Sequence, residues 1–254
     1  STKMGITMKK SVLWAVVLMF TSVAATAQEQ VFERNLRSFS KITVSPKIHL
    51  VLTQGDRESI KLTYSNINAG QINVAVEGDK LKIYLDDARI VDKREFYDDY
   101  DKRSIYHNAN VTAHITFRDL RLLEIRGNQD VAINQIVNAD QFLLRVYGSA
   151  HITIDSLQAS FFKVVAYGEN RIKIKAGNAE TQRYVLYGEN KIDSRNLDGH
   201  TISSNIYGEG RLTVNASDEV RINAIGEPEI NVSGTSFINK GLVIGKPSIY
   251  KENQ

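Results

Sequence analysis

The sequence of 254 residues contains no cysteine, so neither a disulfide nor a thiolate metal site is available to it. Only three prolines and 16 glycines occur, too few for a collagen-like chain or a Pro/Gly-rich disordered one. No nucleophile elbow, phosphate loop or HExxH helix is present. His49, His107, His114, His151 and His200 fall in unrelated contexts without metal-ligand spacing. The expectation is therefore no catalytic residues, no metal and no cofactor. Long apolar runs are scarce as well. Ser11–Val23, the run nearest to one, falls short of the roughly 20 residues a membrane span needs.

That run has a different use. Lys9 and Lys10 precede it and Ala25-Thr26-Ala27 follows it, which is the pattern of an export signal cleaved before Gln28. An uncleaved membrane anchor is the alternative. Lys3, Lys9 and Lys10 lie inside residues 1–27 and no acid does, so Lys plus Arg falls from 32 to 29 against 29 Asp plus Glu. A neutral exported chain gives no reason to expect a nucleic-acid partner or a polybasic membrane surface. The expected address is the periplasm or the outer cell surface, with no transmembrane span in the mature chain. The remaining residues are enough for one large β domain.

What the chain does have is repetition. Gly127, Gly148, Gly168, Gly188, Gly208, Gly226 and Gly245 sit in seven copies of one short phrase, among them VYGSAHITI, AYGENRIKI and LYGENKIDS. A period near 20 is too short for a helical pair and points to one coil of a β-solenoid. Two residues before the glycine stand Ile125, Val146, Ala166, Leu186, Ile206, Ala224 and Val243. Four after it stand Val131, Ile152, Ile172, Ile192, Leu212, Ile230 and Ile249, and six after come Ile133, Ile154, Ile174, Ser194, Val214 and Val232. Period two on both sides of a glycine predicts two short strands joined at a corner, each sending alternate side chains inward.

Upstream, residues 28–38 read as a flexible leader and 39–120 as an N-terminal β region continuous with the solenoid of 121–250, with 251–254 a tail. Ser45-Pro46 stands where a corner glycine would, and Val74-Val76 is expected to pair with Leu81-Ile83-Leu85 around Glu77-Gly78-Asp79. Residues 86–110 are dense in both charge signs and in tyrosine, and read as a surface excursion, partly helical. The fold class is all-β: a single-domain parallel β-helix with about 20-residue coils and Gly corner turns. The variable coil favours a right-handed or irregular helix over a left-handed hexapeptide one, with an antiparallel sandwich as third option.

The export signal and the serial turn triplets Gly148-Ser149-Ala150, Gly168-Glu169-Asn170, Gly188-Glu189-Asn190 and Gly208-Glu209-Gly210 resemble the bacterial head GIN domain family of autotransporter-type adhesins, common in Bacteroidetes. The resemblance covers roughly Phe39 to Ile249. It implies a β-helix whose glycine turns connect two sheets, no recognised catalytic constellation, and adhesion as the proposed role.

The position before the glycine holds Tyr147, Tyr167, Tyr187 and Tyr207, expected to point outward as a ladder some 14 Å long from steps of about 4.8 Å. Such a strip offers aromatic surface to sugar rings or a partner protein, or simply stabilises adjacent strands. Glu169, Glu189, Glu209 and Glu227 in the corner, with Arg171, Lys191 and Arg211 two positions on, read as a solvated salt-bridge strip. The tyrosines with Arg171, Lys191 and Arg211 form the candidate ligand-binding surface, for a glycan or an extracellular or envelope protein. Self-association into a homo-oligomer through exposed coil edges remains open. A polysaccharide lyase or hydrolase on a β-helix, or a structural envelope protein, are the alternative readings.

Overall fold

The computed structural model describes residues 28–98 and 101–252, with only the backbone described for 95–98 and 101–102. The expected export signal, 1–27, lies outside the described residues. Strands occupy β1 (Gln30–Asn35), β2 (Lys41–Val44), β3 (His49–Gln54), β4 (Ser59–Ser65), β5 (Ile72–Glu77), β6 (Lys80–Leu85), β7 (Arg94–Asp98), β8 (Asp101–Ser104) and β9 (Asn110–Phe117). The repeats follow as β10 (Leu122–Gly127), β11 (Asp130–Gly148), β12 (His151–Gly168), β13 (Arg171–Ile174), β14 (Gly177–Gly226), β15 (Glu229–Ser233), β16 (Phe237–Gly245) and β17 (Ser248–Lys251). Among the described residues there is no α-helix, and hence none able to cross a membrane.

The period-two pattern forms a parallel β-solenoid. Leu144, Val146 and Gly148 pair with Val164, Ala166 and Gly168, and these in turn with Tyr184, Leu186 and Gly188, equivalent residue on equivalent residue. The three aliphatic columns face inward and are 0–2% exposed from Ile125 to Val232. Phe142 stacks on Phe162 at 5.7 Å, and Tyr184 meets Phe162 edge-on at 6.4 Å, filling the far side of the coil. No coil closes its own core, so stability is a property of neighbouring coils.

The stack is finished differently at its two ends. Toward the N-terminus, β2 and β3 form a coil beneath β10 and β11, with Ile42 under Leu123 and Leu50 under Val131. Ser45-Pro46 makes its corner, and Lys47 takes the positive φ of 72°. β6 and β9 add one more parallel layer, and the antiparallel strands β5, β4 and β1 then close the end. The expected pairing of Val74 with Ile83 and Val76 with Leu81 is present. Toward the C-terminus, among the described residues, β16 pairs only with β14 and β17 only with β15. Val243 belongs to an inward column but is 38% exposed, because among the described residues no strand stacks on the outer side of β16.

Two expectations are corrected. Residues 28–38 are not a flexible leader: β1 pairs along β4 from Gln30–Tyr64 to Asn35–Ser59. An edge strand there uses the unpaired side of β4, and the Arg34 guanidinium donates to the Val74 carbonyl at 2.6 Å. The described residues of the 86–110 excursion contain no helix either. β7 and β8 pair antiparallel in a register that sets Glu95 opposite Arg103, consistent with the strand preference of Phe96-Tyr97. This excursion is tied down: Ser104 Oγ donates to Asp92 at 2.7 Å, Tyr106 Oη to the Asp86 carbonyl at 2.7 Å, and Ser45 Oγ to the Arg89 carbonyl.

Candidate binding surface

Everything at the candidate site follows from how the corner is turned. At Gly168 φ is +113°, and a Cβ built there would lie 2.1 Å from the Gly148 carbonyl oxygen. A side chain would therefore clash with backbone as well as strain φ, so coils approach this closely only through glycine. The same approach recurs from Gly127 to Gly245, each glycine standing over the one before. Around the corner, Tyr187, Gly188 and Glu189 are exposed in succession, Asn190 is buried, and Lys191 is exposed again. Three outward residues in a row mark a convex turn, so the tyrosines end one sheet and the cations begin the next.

Inside the corner runs an asparagine ladder that the sequence reading did not find. Asn170 Oδ1 accepts from the Ala150 amide at 2.9 Å, and Asn190 Oδ1 accepts from the Asn170 amide at 3.1 Å and from Asn170 Nδ2 at 2.9 Å. Each Nδ2 also donates to the carbonyl of its own coil's tyrosine, at 3.0 Å and 2.9 Å. Asn170 and Asn190 are buried, and this bonding satisfies corner amides that would otherwise be orphaned. A second buried group replaces the aliphatic column at Ser194: Tyr184 Oη lies 2.7 Å from Gln182 Oε1 and 2.9 Å from Ser194 Oγ. Burial raises the Tyr184 phenol above its ordinary value of 10.0.

Outside the corner stands the tyrosine ladder. Ring centroids are 5.1 Å apart for Tyr147–Tyr167, 4.7 Å for Tyr167–Tyr187 and 4.8 Å for Tyr187–Tyr207, with planes within 7° of parallel. The Arg126 guanidinium caps the stack 5.7 Å from the Tyr147 centroid, a cation–π contact. Ile225 and Ile244 continue the column beyond Tyr207. This geometry bears on chemistry. The ring faces are covered by neighbouring rings, so stacking of sugars onto them, one use expected from sequence, is closed at Tyr167 and Tyr187. What the solvent meets is ring edges and hydroxyls, with each tyrosine 36–39% exposed. None of the four hydroxyls has a hydrogen-bond partner among the described residues.

The structure brings the four tyrosines together but sets Arg171, Lys191 and Arg211 on the strands after the corner, with the glutamate column between. The expected salt-bridge strip does not form: among the described residues Glu169, Glu189 and Glu209 make no ion pair, and Arg211 bonds Glu229 of the next coil at 3.0 Å. The reason is geometric, since glutamate and cation lie on either side of an inward-pointing residue at a convex turn. On the tyrosine face itself the outward neighbours are Val165 and Val185, flanked by Arg145, Lys163 and Arg183. No cluster of His, Asp or Glu among the described residues is placed to hold a metal ion.

Comparison with known proteins gives a consistent picture. A model of the family described as "Putative auto-transporter adhesin, head GIN domain" matches residues 38–236. Among solved structures, a "putative adhesin" of Bacteroides fragilis has a TM-score of 0.76 to this chain at 20% identity, over 89% of this chain and 98% of its own. A counterpart from Parabacteroides distasonis gives 0.67 at 18% identity, with coverages of 89% and 98%. One from Parabacteroides merdae gives 0.67 at 17% identity, with coverages of 89% and 97%. At these identities the likeness establishes the β-solenoid fold. No curated protein matches the chain significantly.

Proposed function

The chain belongs to the head GIN domain family, and from that membership and the tyrosine ladder we propose a non-enzymatic binding module acting outside the cytoplasm, which holds a linear glycan along its axis. The observation that carries this reading is the row of hydroxyls, unpartnered among the described residues, on parallel rings whose centroids are 4.7–5.1 Å apart on an exposed face. Stacking for stability alone needs no hydroxyl: the interior obtains it from Phe142 and Phe162. A periodic row of donor–acceptor groups suits a ligand with its own periodic hydroxyls, and Val165 and Val185 beside it offer apolar contact. A non-enzymatic role is supported by electrostatics. Among the described residues, each carboxyl whose titration is displaced, including Asp155 beside Lys175 and Glu229 beside Asn231 and Arg211, is displaced downward. A general acid in a glycosidase needs the opposite displacement.

A glycan array probed with the protein and with Tyr167→Ala/Tyr187→Ala tests this. Binding should be present in the first, absent in the second, and the β-sheet circular dichroism shared. Unchanged binding removes the ladder from the account. Cleavage of any polysaccharide in a parallel screen would favour the lyase or hydrolase reading, and binding confined to matrix proteins would replace the glycan. Fractionation of the native cell decides between periplasm and outer surface.

A further inference from the structure

A cleft of about 640 Å³ opens at the N-terminal head of the tyrosine ladder, between the 90–94 segment and the corners of the first coils. Its outer wall is Ile90 and Val91, which are 63% and 72% exposed. Two β-branched apolar residues projecting from a segment otherwise composed of charges need an explanation. They are not loosely placed: the Arg89 carbonyl before them is held by Ser45 Oγ, and Asp92 after them is held by Ser104 and by Lys47 at 3.7 Å. The opposite wall is the Arg126–Tyr147 pair that begins the ladder. The floor is formed by Gly127 and Gly148.

The polar groups in the cleft also differ from those farther along. The corner position after the glycine is glutamate in later coils, at Glu169, Glu189 and Glu209, but beneath the overhang it is Asn128 and Ser149. Arg94 at the rim has no ion-pair partner among the described residues. An apolar wall, a neutral amide and hydroxyl, and a guanidinium at the rim of a space of this size match an amphipathic ring with a rim of hydroxyls.

We propose that this cleft is a subsite for one pyranose unit, the terminal residue of a glycan whose following units lie on the ladder. The proposal rests on the glycan reading above and adds polarity to it: the chain end is held under Ile90 and Val91, and the polymer runs toward Tyr207. Binding at a terminus discriminates free ends from internal stretches, which the uniform ladder cannot do.

Methyl-labelled isoleucine and valine report the cleft directly. The protein is titrated with methyl glycosides of a neutral hexose, an N-acetylhexosamine and a hexuronic acid at millimolar concentration. At least one should shift the Ile90 and Val91 methyl resonances saturably. Val91→Asp, with core methyl resonances unchanged as the check on folding, should weaken that binding at least tenfold, and Lys240→Ala, on exposed β16 at the opposite end of the solenoid, should leave it unaltered. Absence of shifts at Ile90 and Val91 with all three glycosides, or equal binding by Val91→Asp, overturns the subsite. The two readings fail separately. Array binding lost in the tyrosine variant without any cleft shifts leaves the ladder and removes the cleft. Cleft shifts with array binding unchanged in the tyrosine variant do the reverse.

Discussion

Two ladders run along the same corners, one inside and one outside, and they are built on opposite terms. The inner one, Asn170 and Asn190, is buried and its amides bond the corner backbone of successive coils. The outer one, Tyr147 to Tyr207, is a third exposed, and its hydroxyls bond nothing among the described residues. A buried polar group must be satisfied or the fold suffers, so the inner ladder reports on architecture. An exposed one is free of that demand, so its unspent hydrogen-bonding capacity is where recognition has room to operate. The contrast predicts that inner changes cost stability while outer changes cost binding.

The sharpest break is at the glycine that both ladders share. Gly168→Ala should destabilise by about 3 kcal/mol or more, since left-handed strain of about 1–3 kcal/mol adds to a backbone clash. Gly78→Ala is the control: φ is +60° there but nothing lies within 4 Å of the added carbon, so only the strain remains. Chemical denaturation of both variants should separate them clearly. Next in size is Asn170→Ala, which leaves the Ala150 amide without its acceptor, removes one of the two donors to Asn190 Oδ1 and should cost about 1–3 kcal/mol by the same measurement.

Tyr184, the buried tyrosine, extends the comparison to pH. Its phenol stays protonated in the folded protein at a pH where the unfolded chain ionises near 10.0. Its contribution is therefore complete below about pH 10 and falls above it, by up to about 1.4 kcal/mol per pH unit. Denaturation midpoints followed from pH 8 to 11 should show this decline, and Tyr184→Phe should flatten it by one proton. The smallest effect on stability belongs to the outer ladder. Tyr187→Ala removes two stacked pairs at about 0.2–1 kcal/mol each, while array binding should disappear.

How much of this was legible in the sequence depends on which residues carry the signal. The corner glycines and aliphatic columns were, because burial writes itself as period two. The tyrosine column was too, because its phase follows from that of its inward neighbour. Asn170 and Asn190 were not: asparagine after glycine reads as an ordinary turn residue, and only stacking shows that it points inward. The coverage of ring faces was likewise hidden, since sequence gives the column but not the tilt of its rings. Arg171 and Lys191 looked adjacent to the tyrosines because a one-dimensional spacing of four residues does not reveal a convex corner. Ile90 and Val91 disappeared into a charged stretch, and their relation to Arg126 crosses more than thirty residues. Residues 30–35 carry too short an alternation to distinguish an edge strand from a leader.

The account turns on hydroxyls rather than ring faces, and one double substitution separates them. Tyr167→Phe/Tyr187→Phe keeps the stack and deletes two hydroxyls, each worth about 0.5–1.5 kcal/mol in a net hydrogen bond. Affinity for the best glycan on the array, measured by titration calorimetry, should fall by about 5- to 150-fold with the melting temperature unchanged. Undiminished affinity in that variant would contradict the claim that the exposed hydroxyl row is what the ligand meets.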